Sequence, residues 1–514
     1  MDIVRCSGML PIVWYGIGLC LLIYLYGKWR LRMLPNAGIP GPSPTVFLGN
    51  LKQMATNGLV DRHRRHRKTY GKVYGQYLGA LPYIFVHDLD ILKEVFVKNF
   101  DNFMNRMSIF QSLNMNPHPV DIALTFARGD TWYRLRHIMT PAFTGSKLKN
   151  TCAHINTAAE SLTRNLAEAA GHTDAIYVKE YFVAFALDTI AGTAFGIQID
   201  SQKDLSNPFV VNSSKLFSSG FVNNKFLLLS AMFPALKPLL KLCGVYTFTS
   251  SVVKFYRDTA ERIYVQRRQL FDKTKMDFLQ LLIDVEGNTV GKGKTSSQAK
   301  RLSPDEVYAQ VVFFFGAGFE TVSTSLQFMA YVLATHPHVQ RKLVEEIHSQ
   351  IGDEETTYDN IQKIEYLEHF IRETLRLYPS IPLVARETVN TVELKGYTFP
   401  KGSVVVAPTL EIQRDPEYFD HPDSFDPDRW KKTINPLLWL PFGYGPRQCI
   451  AIRLALIEMK IGLIHVLRRI KFVKLPDTPE VIEFDPLAYG RLVPKEDIKL
   501  KIELRGDPRD NTYA

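Results

Sequence analysis

One stretch constrains this chain more than any other: Pro441–Arg453, which reads PFGYGPRQCIAIR. Gly443, Gly445 and Pro446 break helix and strand alike, so a turn is expected there. Beyond it, Ile450, Leu454, Ile457, Ile461 and Leu463 recur at helical spacing. Cys449 is therefore expected where a loop enters a helix. The unpaired N–H groups and the positive dipole end of a first helical turn both stabilise a thiolate. A thiolate on an ordered loop is a nucleophile or a metal ligand, and this stretch alone leaves both open.

The remaining cysteines do not decide it. Cys6, Cys20, Cys152, Cys243 and Cys449 show no C-x-x-C spacing, which argues against a zinc site and against a disulfide framework. They fit a reducing, cytosol-facing environment. The net charge of +10 raises the question of nucleic acid. No basic helix with interleaved aromatics accompanies that charge, so no nucleic-acid partner is expected. A membrane surface or an acidic protein partner fits better. The 514 residues exceed the usual single-domain range, and 46% apolar content permits a large core.

Residues Cys6–Gly27 carry no formal charge and are numerous enough to cross a bilayer. Lys28, Arg30 and Arg32 follow at once, whereas only Arg5, beside Asp2, precedes. The positive-inside rule then puts the C-terminal side in the cytosol. A cleaved signal peptide and a buried core helix are the other readings. No small-x-small site closes the stretch, which favours a retained anchor. Pro35, Pro40, Pro42 and Pro44, with Gly38 and Gly41, predict a stiff hinge. The expected organisation is an anchor with its basic stop over 1–34, a hinge over 35–45 and a catalytic body over 46–514. The Arg62–Lys68 run (RHRRHRK) reads as a solvated helix face, or as a contact with anionic lipid.

Tyr74–Leu78 and Tyr83–His87 predict a strand pair around Gly79-Ala80-Leu81-Pro82, with Asp88 capping the next helix. Amphipathic helical segments follow near 131–140, 150–170, 179–195, 253–285 and 303–350. Residues 392–406 alternate enough for a small sheet. Phe209–Phe248 is unusually apolar and reads equally as core or as a lid that dips into a membrane. Gly287–Arg301 is expected to be a polar surface loop.

The long helix near 303 has strong start signals. Ser303 is a cap, Pro304 suits the first helical position, and Glu306 completes a capping box. Its middle, FFFGAGFETVSTS, places Ala317-Gly318 and then Glu320-Thr321 in an apolar run. Glycine weakens a helix interior, and threonine can bond back to the backbone. Together they permit a local widening beside a flat cofactor; plain packing is the competing explanation. Glu373 and Arg376 fall three apart on one helical face, for which a surface ion pair is the ordinary explanation. Phe425–Trp430 (FDPDRW) reads as loop.

The order of these pieces carries a resemblance. Trp132-x-x-x-Arg136 is followed by Ala317-Gly318-x-Glu320-Thr321, Glu373-x-x-Arg376 and Phe425-x-Pro427-Asp428-Arg429. Phe442-x-x-Gly445-x-Arg447-x-Cys449-x-Ala451 comes last. Across essentially its whole length the chain resembles a microsomal cytochrome P450. Segments such as IPGPSPTVFLGN, YGKVYG and LDTIAGTAFGIQIDS resemble the animal family-three clan that oxidises drugs and steroids.

The resemblance implies a mainly α fold (α+β), a large helical region with a small β-rich one, and an N-terminal transmembrane helix. It implies haem b, with Cys449 as the axial thiolate that pushes electron density onto iron. Gly445 would allow the tight turn, Phe442 would shield the sulfur, and Arg447 would pair a propionate. Trp132, Arg136, Arg386 and Arg106 would also bind the cofactor's carboxylates. Ala451 stands where the family usually has glycine, and is still small. Ala317 and Gly318 would leave room for dioxygen. Thr321 and Glu320 would deliver protons as an alcohol–acid pair. Val322 stands where the family often has threonine or serine. Glu373, Arg376 and Arg429 would form a structural charge triad.

The function implied is a monooxygenase acting on a hydrophobic small molecule: steroid, lipid or xenobiotic. The chain has no Gly-x-Gly-x-x-Gly nucleotide-binding unit. Electrons are therefore expected from the NADPH-dependent cytochrome P450 reductase, with cytochrome b5 as a further partner, at the endoplasmic reticulum membrane. Arg134, Lys147, Lys149, Lys431, Lys432 and Lys460 are candidates for a basic docking surface. Phe313, Phe314, Ala317, Thr321, Ile381, Pro382, Leu383 and Val384 are expected to line the substrate pocket. Two other classes compete: a haem-thiolate isomerase like thromboxane synthase, which needs no reductase, and a non-catalytic haem sensor.

Overall fold

The computed structural model describes residues 9–56, 59–106, 115–173, 175–204, 206–216, 225–270, 277–284, 301–486, 488 and 490–506. The chain divides into two compact units. The first comprises Met1–Met115, Phe221–Val245 and Ala385–Pro408; the second comprises Asn116–Gly220, Tyr246–Val384 and Thr409–Ala514.

In the first unit, helix α1 (Met9–Arg30) takes up most of the uncharged stretch and ends with Lys28 and Arg30. Its side chains from Trp14 onward are largely exposed, Trp14, Tyr15, Leu22 and Leu25 among them. Among the described residues no helix is long and apolar enough to cross a membrane, so the expected transmembrane helix is not found. The span expected from Cys6 begins outside the described residues.

The proline stretch lies along a strand. The Gly75 N–H donates to the Pro40 carbonyl at 2.7 Å. The Leu34 N–H donates to Tyr77 Oη at 2.8 Å, and Leu34 and Ile39 are buried. Gly41 passes so close that a Cβ there would sit 2.1 Å from the Gly75 oxygen. Strands β1 (Val73–Leu78) and β2 (Leu81–Val86) pair antiparallel around Gly79-Ala80, with Gly79 at φ +60°. The turn is thus two residues shorter than expected, and Pro82 lies in β2 opposite Tyr77. Further strands are β3 (Val384–Glu387), β4 (Val392–Leu394), β5 (Tyr397–Phe399) and β6 (Val404–Ala407). The larger sheet runs β1-β2-β6-β3, with β2 and β6 parallel. β4 and β5 form a hairpin whose turn residues, Lys395 and Gly396, both have positive φ, the conformation that matches strand twist.

Helix α2 (Leu59–Tyr70) carries the basic run. It is not simply a solvated face: Arg62 and His63 are buried, while Arg64, Arg65 and Lys68 are exposed. His63 Nδ1 shares a 2.6 Å hydrogen bond with Tyr74 Oη, and Tyr74 stacks on Phe85 and His87. Of the apolar stretch expected as core or lid, Leu227, Ala231 and Leu240 are buried, whereas Phe226, Leu239 and Leu242 are exposed. Residues 217–224 of that stretch, and 287–300 of the expected polar loop, lie outside the described residues.

The second unit is a helical body. It contains α3 (Gly129–Met139), α4 (Gly145–His172), α5 (Val178–Phe195), α6 (Pro304–Thr335), α7 (Glu365–Leu377) and α8 (Ile452–Arg469). α4 packs on α5 and α8, and α5 packs on α6. Small residues set these approaches: a Cβ on Gly462 of α8 would lie 3.2 Å from the Phe185 ring of α5. Phe195 of α5 stacks on Phe315 of α6 at 4.5 Å. The capping box at Ser303 and Glu306 forms as expected. Ile176–Tyr177, Lys499–Leu504 and Ile470–Val473 form a small antiparallel sheet with Lys499–Leu504 central. The chain is thus mainly helical with small sheets.

Candidate active site

The cysteine loop closes on itself. The Gly443 N–H donates to Leu440 O (2.9 Å), Gln448 N–H to Gly445 O (3.0 Å) and Cys449 N–H to Phe442 O (2.9 Å). Gly443 and Gly445 hold φ of +73° and +76°, which a side chain would strain. α8 begins three residues after Cys449, with Ala451 at its N-cap. Cys449 itself is half-buried.

Two arginines brace this loop. Arg136 of α3 donates from Nη1 to the Gln448 carbonyl at 3.0 Å. Burial pulls the Arg136 pKa down, and the Cys449 charge pushes it back up. Arg447 is buried and donates to Leu124 O (3.3 Å) and Ala127 O (2.6 Å). Its guanidinium lies 4.4 Å over the buried Trp132 ring. The Leu124 N–H donates to Gln310 Oε1 of α6 at 2.8 Å. The Leu124–Ala127 segment therefore ties the cysteine loop to α6.

On α6, Phe313, Ala317 and Thr321 are half-exposed at four-residue spacing, as are Gly318 and Glu320, in a helix otherwise buried from Val307 to Ala334. Thr321 Oγ1 donates to Ala317 O at 2.9 Å. The helix remains α throughout, so the widening these residues permit does not occur and the packing explanation fits; the back-bond is absorbed without a break. A Cβ on Gly318 would lie 2.9 Å from Ile190 Cγ1 and Cδ1, so its bareness serves the packing of α5 on α6. Glu320 Oε1 accepts from Lys179 Nζ and from Arg491 Nη1, each at 3.0 Å. Lys179 also donates to Thr324 Oγ1 at 3.1 Å. Sequence reasoning missed both cations. Lys179 left one signal, as the only basic residue in the apolar helix α5.

Glu373 and Arg376 of α7 have side chains fully buried from solvent, which excludes the surface-pair explanation. Arg376 donates Nε to Oε2 and Nη2 to Oε1, each at 2.8 Å. Arg429 Nε (3.0 Å), the Asp426 N–H (3.0 Å) and Trp430 Nε1 (2.9 Å) complete the carboxylate's donors. Arg376 also donates to the carbonyls of Gln413, Pro422 and Ser424. Gln413 was missed too: it donates to Leu375 O and Arg376 O and accepts the Leu440 N–H, joining α7 to the start of the cysteine loop.

Arg106 and Arg386 belong to the first unit. Their backbones form an isolated β-bridge. Arg386 is buried over the Phe96 ring, its Nε has no hydrogen-bond partner among the described residues, and burial with the Arg106 charge lowers its pKa to about 9. A buried guanidinium in that state suits an added anionic group. Within the second unit, the half-buried thiol beside Arg136 and the half-exposed Phe313, Ala317 and Thr321 of α6 fit a flat, anionic, iron-bearing ring.

The expected docking cations are mostly neutralised. Arg134 pairs with Glu306 and donates to Arg301 O. Lys149 pairs with Asp359, Lys431 with Asp428, and the buried Lys460 with Glu368.

Comparison with known proteins bears directly on this arrangement. The family model described as Cytochrome P450 matches residues 39–502. Cytochrome P450 3A9 of Rattus norvegicus is 35% identical over 95% of this chain and 95% of its own length. Cytochrome P450 3A5 of Homo sapiens is 36% identical over 96% of each. Cytochrome P450 3A27 of Oncorhynchus mykiss is 34% identical over 96% of this chain and 94% of its own length.

Proposed function

The chain belongs to the cytochrome P450 family and is a haem b monooxygenase, and we propose that Cys449 is its iron ligand and that its substrate is a hydrophobic small molecule. The observation that carries this reading is the cysteine loop: its backbone closure and Arg136 set one thiol at the head of α8. When bound, haem supplies dioxygen activation and oxygen transfer.

The chain's own residues do the rest. Cys449 donates thiolate electron density. Phe442, Gly445 and Ala451 keep that side tight and limit water. Arg447 and Arg136, with Trp132 as a further donor, would hold the cofactor's carboxylates. The resemblance assigns Arg106 and Arg386 the same task. Phe313 and Ala317, with Ile381, Pro382, Leu383 and Val384, offer apolar surface to a steroid, lipid or xenobiotic. The Thr321 hydroxyl, now spent on Ala317 O, would turn to pass a proton, and Glu320 would supply it once released from Lys179 or Arg491. Glu373, Arg376 and Arg429 hold the frame of the cysteine loop.

Electrons would come from the NADPH-dependent cytochrome P450 reductase, with cytochrome b5 as an accessory donor. The exposed apolar side chains of α1, with Lys28 and Arg30 at its end, support anchoring at the endoplasmic reticulum membrane with the body in the cytosol. In this reading 1–34 is the anchor, 35–45 the connection and 46–514 the catalytic domain.

Cys449→His should abolish the red-shifted ferrous–carbonyl band of thiolate ligation; persistence of that band would refute the ligand. Product formation without NADPH and reductase would instead support a peroxide isomerase.

A further inference from the structure

A second cluster of charges and aromatic rings lies along α7; it meets the charge triad only at Trp430 and takes no part in the proton path. Lys460 of α8 reaches Glu368 Oε2 at 3.0 Å. Arg372 donates from Nε to Glu368 Oε1 at 2.8 Å. Burial raises the Glu368 pKa, but Lys460 and Arg372 outweigh it and keep the carboxyl ionised. The Arg372 guanidinium then lies 5.8 Å from the Trp430 ring centre and 5.4 Å from that of Trp439. The Trp439 indole donates to the Arg372 carbonyl at 3.1 Å. The Trp439 ring packs on Phe442 at 5.8 Å, and the Phe442 carbonyl accepts the Cys449 N–H.

Followed through, these contacts join one helix to both ends of the cysteine loop. Lys460 sits on the helix that leaves the loop, and Trp439 sits just before the loop begins. A planar guanidinium can face an indole and still reach a carboxylate, which a lysine does poorly. Water access and the hydrogen bonds around a ligating sulfur set how strongly it donates. A clasp that holds the Phe442 ring therefore acts on the sulfur without touching it.

We propose that Arg372 and Trp439 are positioning residues: through them α7 clasps the cysteine loop and keeps Phe442, and hence the Cys449 sulfur, in register for iron ligation. The proposal rests on the reading of Cys449 as the haem ligand. If Arg372 only adds stability, the thiolate form will be lost together with the fold. If it positions the loop, the thiolate form will be lost while the fold persists.

The test compares purified, haem-containing wild type with Arg372→Leu, Arg372→Lys and Trp439→Phe. The decay of the red-shifted ferrous–carbonyl band is followed beside far-ultraviolet circular dichroism and the haem midpoint potential. Loss of two cation–π contacts predicts roughly five- to thirty-fold faster decay in Arg372→Leu, at unchanged dichroism. Arg372→Lys keeps a charge for Glu368 but loses the stack, and should decay faster than wild type. Trp439→Phe should shift in the same direction. If Arg372→Leu retains no haem, Arg372→Lys decides: decay at the wild-type rate overturns the clasp and faster decay supports it. Decay that matches wild type, or that only tracks unfolding, overturns the proposal and leaves the ligand reading intact. A wild type without the band overturns the ligand reading itself.

Discussion

Replacing Glu373 by alanine should remove most of the stability of the second unit. Its carboxylate accepts five hydrogen bonds: two from Arg376 and one each from Arg429, the Asp426 N–H and the Trp430 indole. The Arg376 side chain is as buried as the carboxylate it faces. Without Glu373, Arg376 keeps its three carbonyl partners but has no counter-charge. An uncompensated buried charge costs about 3–5 kcal/mol. Two stranded donors, the Asp426 N–H and the Trp430 indole, add about 1–3 kcal/mol each. The sum, at least about 5 kcal/mol, matches the whole stability of many folded domains. Arg429 is partly exposed, so Arg429→Leu should cost much less. The double variant Glu373→Leu/Arg376→Leu removes both opposite charges and should recover part of the loss. The assay is the yield of soluble haem-containing protein, then the denaturation midpoint of whatever is recovered. A Glu373→Ala protein that holds haem and unfolds within about 1 kcal/mol of wild type would refute the reasoning.

Other consequences are as direct. Gly318→Val should destabilise by about 1–3 kcal/mol by driving into Ile190, and Ile190→Ala should restore part of the thermal midpoint. Burial, with Arg67 and Lys72 nearby, lowers the His87 pKa to about 3. The folded state thus refuses a proton that the unfolded chain accepts below about 6.5. The stability this contributes is complete above that value and falls away between pH 6.5 and 3, by about 1.4 kcal/mol per pH unit. His87→Phe should leave the midpoint at pH 7 within about 1 kcal/mol, because both ring nitrogens lack hydrogen-bond partners among the described residues, and should flatten the acid limb; an unchanged limb would contradict this. Replacing Glu320 by glutamine should lower product formed per NADPH consumed several-fold with little change in substrate affinity, and coupling equal to wild type would speak against Glu320 as proton carrier. Reductase-supported turnover should fall only modestly at high salt, because four of the six cations expected to dock are already paired; a steep fall would place docking elsewhere on the surface.

The amino-acid sequence by itself determined the local features. The positive-φ glycines of the cysteine loop, the start of α8, the capping box at Ser303, the Asp88 cap and the β4–β5 hairpin follow from turn chemistry and periodicity over a few residues. The order of short motifs was enough to name the family. Only the tertiary structure decided what those residues face. It turned Glu373–Arg376 from an ordinary helical pair into a buried network with Trp430 and Gln413, and set Gly318 against Ile190. It also placed two cations on Glu320, from 141 and 171 residues away in the chain. Nothing in the local pattern around FETVS distinguishes a free carboxylate from a doubly paired one. Propensity and periodicity act within a turn or a strand, whereas burial and charge pairing are settled only when distant segments meet.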